Sequence, residues 1–478
     1  MRKNPKRWFG TIVAALLVGL IPAVVAAGTP ATSRVVVAGK PGERERVKAS
    51  VARLGETWVA NLDAIDGGTA VVPSASIVSL SASAGVTSVT IDDAASSYSF
   101  EVPGQAALEP IIPATLWDVA AAVATQPSRD RGVVASNVDI AMIDSGVAPV
   151  VGLDTGRIVY LNAASGRIVP ASEAEYDIVG HGTHLASILL AKDSSEFGPG
   201  IARGSRLVSV NASNKYGQAS LTSVLLGVDA VIKNKNNGLN IRVLLMAIGF
   251  DRDSPAGRLL MIASERATAS GILVVAAAGN KGQWRWQLEA PGASQHVLAV
   301  GAYNLRNPGD PRDDWAASFT SVSSARPADI LAPGVSIVGL RDPGSVIDTL
   351  SPAGRIGSTG FRGSGSSQAS AVAAGAAALL FAQRPTLTPY EARAALIVGN
   401  RPIPFLPGYV GNGRLNLEAS LQSGKLPVQV PPATQPLQWG TTSALVQDDL
   451  QAGELSGTRW IVSNWSGTRW ITTATAQS

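Results

Sequence analysis

The feature that most constrains the fold is a series of continuous apolar runs between Val138 and Leu340: "NVDIAMI", "RLVSVNA", "IRVLLMAI", "ILVVAAA", "HVLAVGA" and "DILAPG". A strand wet on one face alternates apolar with polar residues; these runs do not, so both of their faces must be covered. Helical patterns separate the runs. The expected architecture is therefore α/β with a mainly parallel sheet. Functional groups are then expected just past the carboxyl ends of the strands. Further helical segments follow at Thr388–Leu396 and Asn416–Leu421.

Upstream, "RVVVAGKPGERERVKASVARLGETWVANL" reads as strand, helix and strand, and "TAVVPSASIVSLSASAGVTSVTIDD" repeats the pattern with a helix from about Ser76. Together they make a small α+β, ferredoxin-like β-α-β-β-α-β unit. Before it, "MRKNPKRWFGTIVAALLVGLIPAVVAAG" has a basic head, an apolar run and small residues Val25 and Ala27 spaced for cleavage before Gly28. That pattern is a secretory signal over residues 1–27, and Pro22 argues against an uncleaved anchor. The prolines of "GKLPVQVPPATQPLQW" mark a linker over residues 424–440. Beyond it, residues 441–478 carry "SGTRWI" twice, at Ser456–Ile461 and Ser466–Ile471. Strand formers broken by "SG" turns read there as an edge ribbon, with a surface-attachment element as the alternative.

A chain of 478 residues has room for a catalytic domain and accessory segments. Its 39 basic and 35 acidic residues are interspersed, with no stripe able to follow a phosphate backbone, so nucleic acid is excluded as a partner. There is no cysteine. Neither a disulfide nor a lipidated cysteine is possible, and stability must rest on core burial.

The stretch "GSGSSQASAVAAGAAALL", from Gly363 to Leu380, holds four serines before an alanine-rich helix. Ser364, Ser366, Ser367 and Ser370 are each either a nucleophile or part of the polar start of a buried helix. A nucleophile needs a base, a group that orients the base, and an oxyanion hole. The only histidines are His181, His184 and His296. His181 opens the helical "HGTHLASILLA", whereas His296 precedes a strand and reads as a surface residue. Asp144 ends the strand "VDIAMI", where an acid is well placed for a site. A zinc site at His181 and His184 lacks the glutamate of an HExxH motif.

The blocks "VDIAMIDSGV", "HGTHLA" and "GSSQASAVAAGAAAL", in that order and with "VVAAAGN" and "DILAPGVSI" between the last two, resemble the catalytic blocks of the subtilisin-like serine peptidases. The resemblance covers about Val133 to Leu421, and the upstream α+β unit resembles that family's inhibitory propeptide. It implies a three-layer catalytic domain over 104–423 and a propeptide over 28–103. It also implies Ser367 as nucleophile, His181 as general base, Asp144 as its orienter, and Asn280 as oxyanion donor together with the Ser367 N–H. Ser364, Ser366 and Ser370 become local capping or packing groups, and His184 a locally bonded helix-face residue. Gly249 and Phe250 would border the substrate cleft, with Phe250 either narrowing its edge or pointing into the core. Lys281 would lie at the rim of the primary specificity pocket and Glu289 near its base. Glu289 either faces inward as a carboxylate for a basic residue, or is turned to solvent or paired with Lys281 or Arg285, which leaves an apolar pocket.

The implied partners are protein or peptide substrates and the chain's own propeptide, with membrane contact only through the signal segment, and the implied location is extracellular. The chemistry requires no cofactor; structural calcium is compatible with it, but no site for it is legible. The chain departs from the family pattern at Gln368, Ala371 and Val372, where a methionine and a Pro-His pair are usual, and at "AIGF", Ala247–Phe250, where a serine and two glycines are usual. Two other functions compete: a binding or scaffold protein on an inactive peptidase fold, and an esterase, disfavoured because "GSSQA" lacks the second glycine of a nucleophile elbow.

Overall fold

The structure is a computed structural model that describes residues 32–92, 112–214, 218–282, 286–306, 310–404, 406–424, 426 and 428–434. The signal segment, residues 93–111 and the repeat-bearing tail lie outside the described residues.

The N-terminal unit runs β1 (Thr32–Gly39), α1 (Arg44–Arg53), β2 (Thr57–Leu62), β3 (Gly67–Pro73), α2 (Ile77–Ser81) and β4 (Val86–Ile91). Its strands pair in the order β2-β3-β1-β4, and each pairing is antiparallel. Val35 and Val37 of β1, alternating along the strand, face Val47 and Val51 of α1 and Leu80 of α2 in a core of the unit's own. The β-α-β-β-α-β pattern read from the sequence is therefore present, with the second helix starting one residue later than expected.

The large domain begins with α3 (Leu116–Ala122), whose start is fixed by a capping box between Thr115 and Asp118, and α4 (Gln126–Asp130). Then come β5 (Asp139–Asp144), β6 (Ile158–Asn162), β7 (Arg167–Val169), α5 (His181–Leu190), β8 (Arg206–Asn211), α6 (Leu221–Asn236), β9 (Ile241–Met246), α7 (Pro255–Ala269), β10 (Leu273–Ala277) and β11 (Leu298–Asn304). The remainder is β12 (Trp315–Ala316), β13 (Ile330–Pro333), β14 (Ile337–Leu340), α8 (Val346–Leu350), β15 (Arg355–Ile356), β16 (Gly360–Gly363), α9 (Ser366–Gln383), α10 (Pro389–Val398) and α11 (Leu417–Gln422). The main sheet has the order β12-β11-β10-β9-β5-β8-β6-β7, with β13 added beside β11. Strands β6, β8, β5, β9, β10, β11 and β13 run parallel to one another; the antiparallel β7 closes one edge beside β6, β13 lies on the outer side of β11, and the two-residue β12 pairs antiparallel with the end of β11 on the side of β10.

All six residues of β5 are buried, and its side chains divide between two cores. Ile140 and Met142 join α5 and α9 on one side, while Ala141 and Ile143 join α6 and α7 on the other. This is the physical reason the run does not alternate. Helix α9 is alanine-rich because it is covered all round: its first sixteen residues, Ser366 to Phe381, are buried. A Cβ at Gly375 would stand 2.7 Å from the Cβ of Ile201, so only glycine allows this approach.

The N-terminal unit sits on α6 and α7. Asp229 of α6 accepts the backbone N–H groups of Asp63 and Ala64, each at 2.7 Å. Thr69 bonds Thr222 at 2.9 Å, Asp92 accepts the Thr222 N–H at 2.9 Å, and Arg266 of α7 pairs with Asp66. Burial pushes the Asp229 carboxyl up to about 7, against the opposing pull of the Ala64 N–H and of Arg44 and Arg266.

Candidate active site

Asp144 is the last residue of β5, a central strand flanked by β8 and β9, and it is fully buried. Its Oδ1 accepts the Ser145 N–H at 2.8 Å and lies 2.7 Å from His181 Nδ1. His181 is the first residue of α5 and is also fully buried. The approach to α5 is set by Asp177, which sequence reasoning did not single out. Its Oδ1 accepts the N–H groups of Val179 and Gly180 at 2.9 and 2.8 Å, and its Oδ2 accepts the N–H and hydroxyl of Thr183, each at 2.8 Å. Burial raises the Asp177 carboxyl above its ordinary range, and bonds from the Gly180 N–H, the Thr183 N–H and hydroxyl, and the Ser145 side chain oppose the shift. Gly180 completes the turn at φ +94°, where a Cβ would stand 2.5 Å from Ser345 Oγ.

Ser367 is the second residue of α9, fully buried, with its hydroxyl donating to the Ala247 carbonyl at 3.3 Å. Ala247 follows the carboxyl end of β9, so nucleophile candidate, histidine and acid all gather at the strand ends expected from the sheet's direction.

Asn280 lies past β10, after Gly279 at φ +106°. Its Oδ1 accepts both the Ser366 N–H at 2.8 Å and the Ser366 hydroxyl at 2.9 Å, and Ser366 Oγ accepts the Gly279 N–H at 3.2 Å. With Oδ1 committed to two donors, the orientation of the amide is set, and its NH2 edge turns away from Ser366. Ser366 is thus more than the local cap expected of it, since it ties the start of α9 to the Asn280 turn. Ser370 is local, donating to the Ser367 carbonyl at 2.8 Å, and Ser364 accepts the Ser336 N–H at 2.8 Å.

Lys281 and Glu289 meet. Lys281 Nζ is 2.5 Å from Glu289 Oε1, and the glutamate is 3% exposed against 20% for the lysine. A Cβ on Gly279 would stand 2.6 Å from Glu289 Oε2, which puts the carboxylate directly beside the Asn280 turn. Phe250 exchanges two backbone hydrogen bonds of 2.9 Å with Ala290. Its ring belongs to the core that includes Met246, Leu260 and Ala290, so it does not narrow a cleft; Gly249 before it is buried.

The other two histidines correct the sequence reading. His184 is buried and bonds the Phe361 carbonyl, 177 residues away, at 3.1 Å, with the Gln368 amide 3.5 Å from its other nitrogen. Burial first, and His181 second, lower its pKa to about 4, so its ring is neutral at ordinary pH. His296 is 6% exposed, not a surface residue, because the Tyr390 hydroxyl and the Pro432 carbonyl enclose it at 2.7 and 3.1 Å. Among the described residues, no group of three or more His, Cys, Asp or Glu side chains is arranged to hold a metal, and no helix is long and apolar enough to cross a membrane.

Comparison with known proteins bears on what this arrangement is. The model of the subtilase family matches residues 135–413, more than half of the chain. The chain is 35% identical over 317 residues to serine protease AprX of Bacillus subtilis, covering 62% of this chain and 71% of that protein. It is 32% identical over 300 residues to a subtilisin of Bacillus pumilus, covering 62% of this chain and 94% of that protein. In three dimensions it resembles fervidolysin from Fervidobacterium pennivorans, described as a keratinolytic enzyme related to subtilisin. There the TM-score is 0.63 at 19% identity, and the match spans 83% of this chain and 61% of fervidolysin. The parallel sheet, the buried Asp144–His181 pair and the start of α9 all fall within the matched residues, and the chain belongs to the subtilase family of serine peptidases.

Proposed function

We propose that this chain is a secreted serine endopeptidase, made as a self-processed precursor, which cuts peptide bonds through Asp144, His181 and Ser367. The observation that carries the reading is the buried contact of 2.7 Å between Asp144 Oδ1 and His181 Nδ1. A carboxylate cannot donate, so Nδ1 carries the proton and Nε2 is the basic nitrogen. The Ser367 hydroxyl turns from the Ala247 carbonyl to His181 Nε2, loses its proton there and attacks the substrate carbonyl carbon. The resulting oxyanion is held by the Ser367 N–H and the Asn280 NH2 edge. His181 then returns the proton to the departing amine, leaving an acyl-Ser367 ester; a water activated by the same imidazole hydrolyses it. Throughout, Asp144 stabilises the imidazolium form.

A precursor is supported by the docked N-terminal unit on α6 and α7, with signal peptide 1–27 and propeptide 28–103 as the proposed segments. Catalytic domain 104–423 and the segments after it complete the proposed organisation. Assays of casein and of a short ester, with wild type and Ser367→Ala, test the activity. Casein cleavage lost in Ser367→Ala is expected. Retention of it, or turnover of the ester alone, would contradict the reading.

The Lys281–Glu289 pair favours one form of specificity. A carboxylate already neutralised by an internal ammonium leaves no charge for a basic substrate side chain. Wild type should therefore prefer Leu or Phe before the cut. Lys281→Met, which removes this ammonium from beside Glu289, should raise cleavage after Arg relative to Leu by about tenfold. A peptide panel differing only in that residue measures both, and an unchanged ranking in the variant would reject the role of the pair.

A further inference from the structure

Two residues of the stretch expected to be a linker, Pro432 and Thr434, are tied to the large domain. Glu265 of α7 is 9% exposed, and three hydrogen bonds reach its carboxylate. Ser294 Oγ donates to Oε1 at 3.0 Å, the Thr434 N–H donates to Oε2 at 2.9 Å, and the Thr434 hydroxyl donates to Oε1. Two of the three therefore come from the C-terminal segment. Among the described residues Glu265 pairs with no lysine or arginine within 4 Å, and His296 Nε2 lies 3.9 Å from its Oε2.

His296 adds a second point of attachment two residues earlier. Its Nε2 stands 3.1 Å from the Pro432 carbonyl, which can only accept, so Nε2 carries the proton. Its Nδ1 is hydrogen-bonded to the Tyr390 hydroxyl, 2.7 Å away on α10. Helix α7, the turn before β11 and helix α10 thus bring a carboxylate, an imidazole and a phenol to one place. A buried carboxylate deprived of two of its three donors is costly, so the recess is incomplete without the segment.

We propose that Glu265, His296 and Tyr390 form a clasp that recognises Pro432–Thr434 and holds this segment on the catalytic domain. The matching partner is a segment that presents a carbonyl and, two residues on, a threonine offering both its N–H and its hydroxyl. The next residue along α7, Arg266, holds Asp66 of the N-terminal unit. The N-terminal unit and the Pro432–Thr434 segment are consequently fastened to one helix through adjacent residues, but they share no bonding group. Loss of the N-terminal unit leaves the clasp closed.

Hydrogen exchange of the full-length Ser367→Ala protein, read by mass spectrometry on peptides covering residues 428–434, tests the clasp. Protection is expected in this parent. Thr434→Val and Glu265→Gln should each speed exchange there by about tenfold, the size of one lost hydrogen bond to a charged group. Arg266→Ala should leave it unchanged. Thr434→Val lies at the end of the docked segment and decides the matter even if Glu265→Gln disturbs α7. Exchange in the parent at the rate of an unstructured peptide would overturn the proposal. So would a Thr434→Val protein that exchanges like the parent, or acceleration by Arg266→Ala.

Discussion

One residue before the proposed nucleophile, Ser366 holds the amide of Asn280 by two hydrogen bonds of 2.8 and 2.9 Å. Asn280→Ala should lower kcat by about 10²–10³-fold with little change in KM, the magnitude known for loss of one such donor in this family. Ser366→Ala keeps its N–H but loses its hydroxyl, so it should lower kcat about tenfold. Because it acts through Asn280, the double variant should be no slower than Asn280→Ala alone. Steady-state kinetics on one peptide separate these outcomes; additive losses would mean that Ser366 acts elsewhere. The sequence located Asn280 by motif, but it could not reveal this partnership. A serine opening a helix is ordinary, and the contact spans 86 residues. Phe250 shows the same limit in another form, since its place after β9 was legible while the side to which its ring turns depended on packing against Leu260 and Ala290.

At the scale of elements, the strands were legible because each apolar run reports burial on two faces, and β5, β8, β9 and β10 each feed two cores. The seat of the N-terminal unit was not legible. Asp229 reads in the sequence as one more polar residue on the outer face of α6; only the docked unit reveals that it caps the Asp63 and Ala64 amides. Docking raises its carboxyl from 3.8 to about 7, with burial as the main cause. On release the carboxylate regains solvent and its ordinary pKa, so docking takes up a proton between those values. The N-terminal unit should therefore be held most tightly in acid and released as pH rises through about 7. Its affinity for the large domain, added in trans, should weaken by tens of fold, at most about a hundredfold, from pH 5 to pH 8. Asp229→Asn should flatten that dependence. Binding that instead tightens with rising pH would contradict the assignment.

For the whole molecule, the proposal joins a peptidase domain to two appended segments on one surface helix. Self-processing predicts that Ser367→Ala accumulates as precursor in a protease-free host, whereas wild type is cut between Asp93 and Ile111; intact-mass analysis distinguishes them, and equal trimming of both would end the idea. The contacts of Pro432 and Thr434 were not legible in the proline-rich stretch read as a linker, since prolines suppress regular structure without preventing side chains elsewhere from capturing their carbonyls and neighbours. The central claim is that Ser367, activated by His181, is the nucleophile, and the most direct measurement is active-site labelling. Mature enzyme treated with a fluorophosphonate should carry one phosphonyl group on Ser367, located by peptide mass spectrometry, and His181→Ala protein, recovered folded, should carry almost none. A label on Ser364, Ser366 or Ser370, or undiminished labelling of Ser367 without His181, would contradict the account.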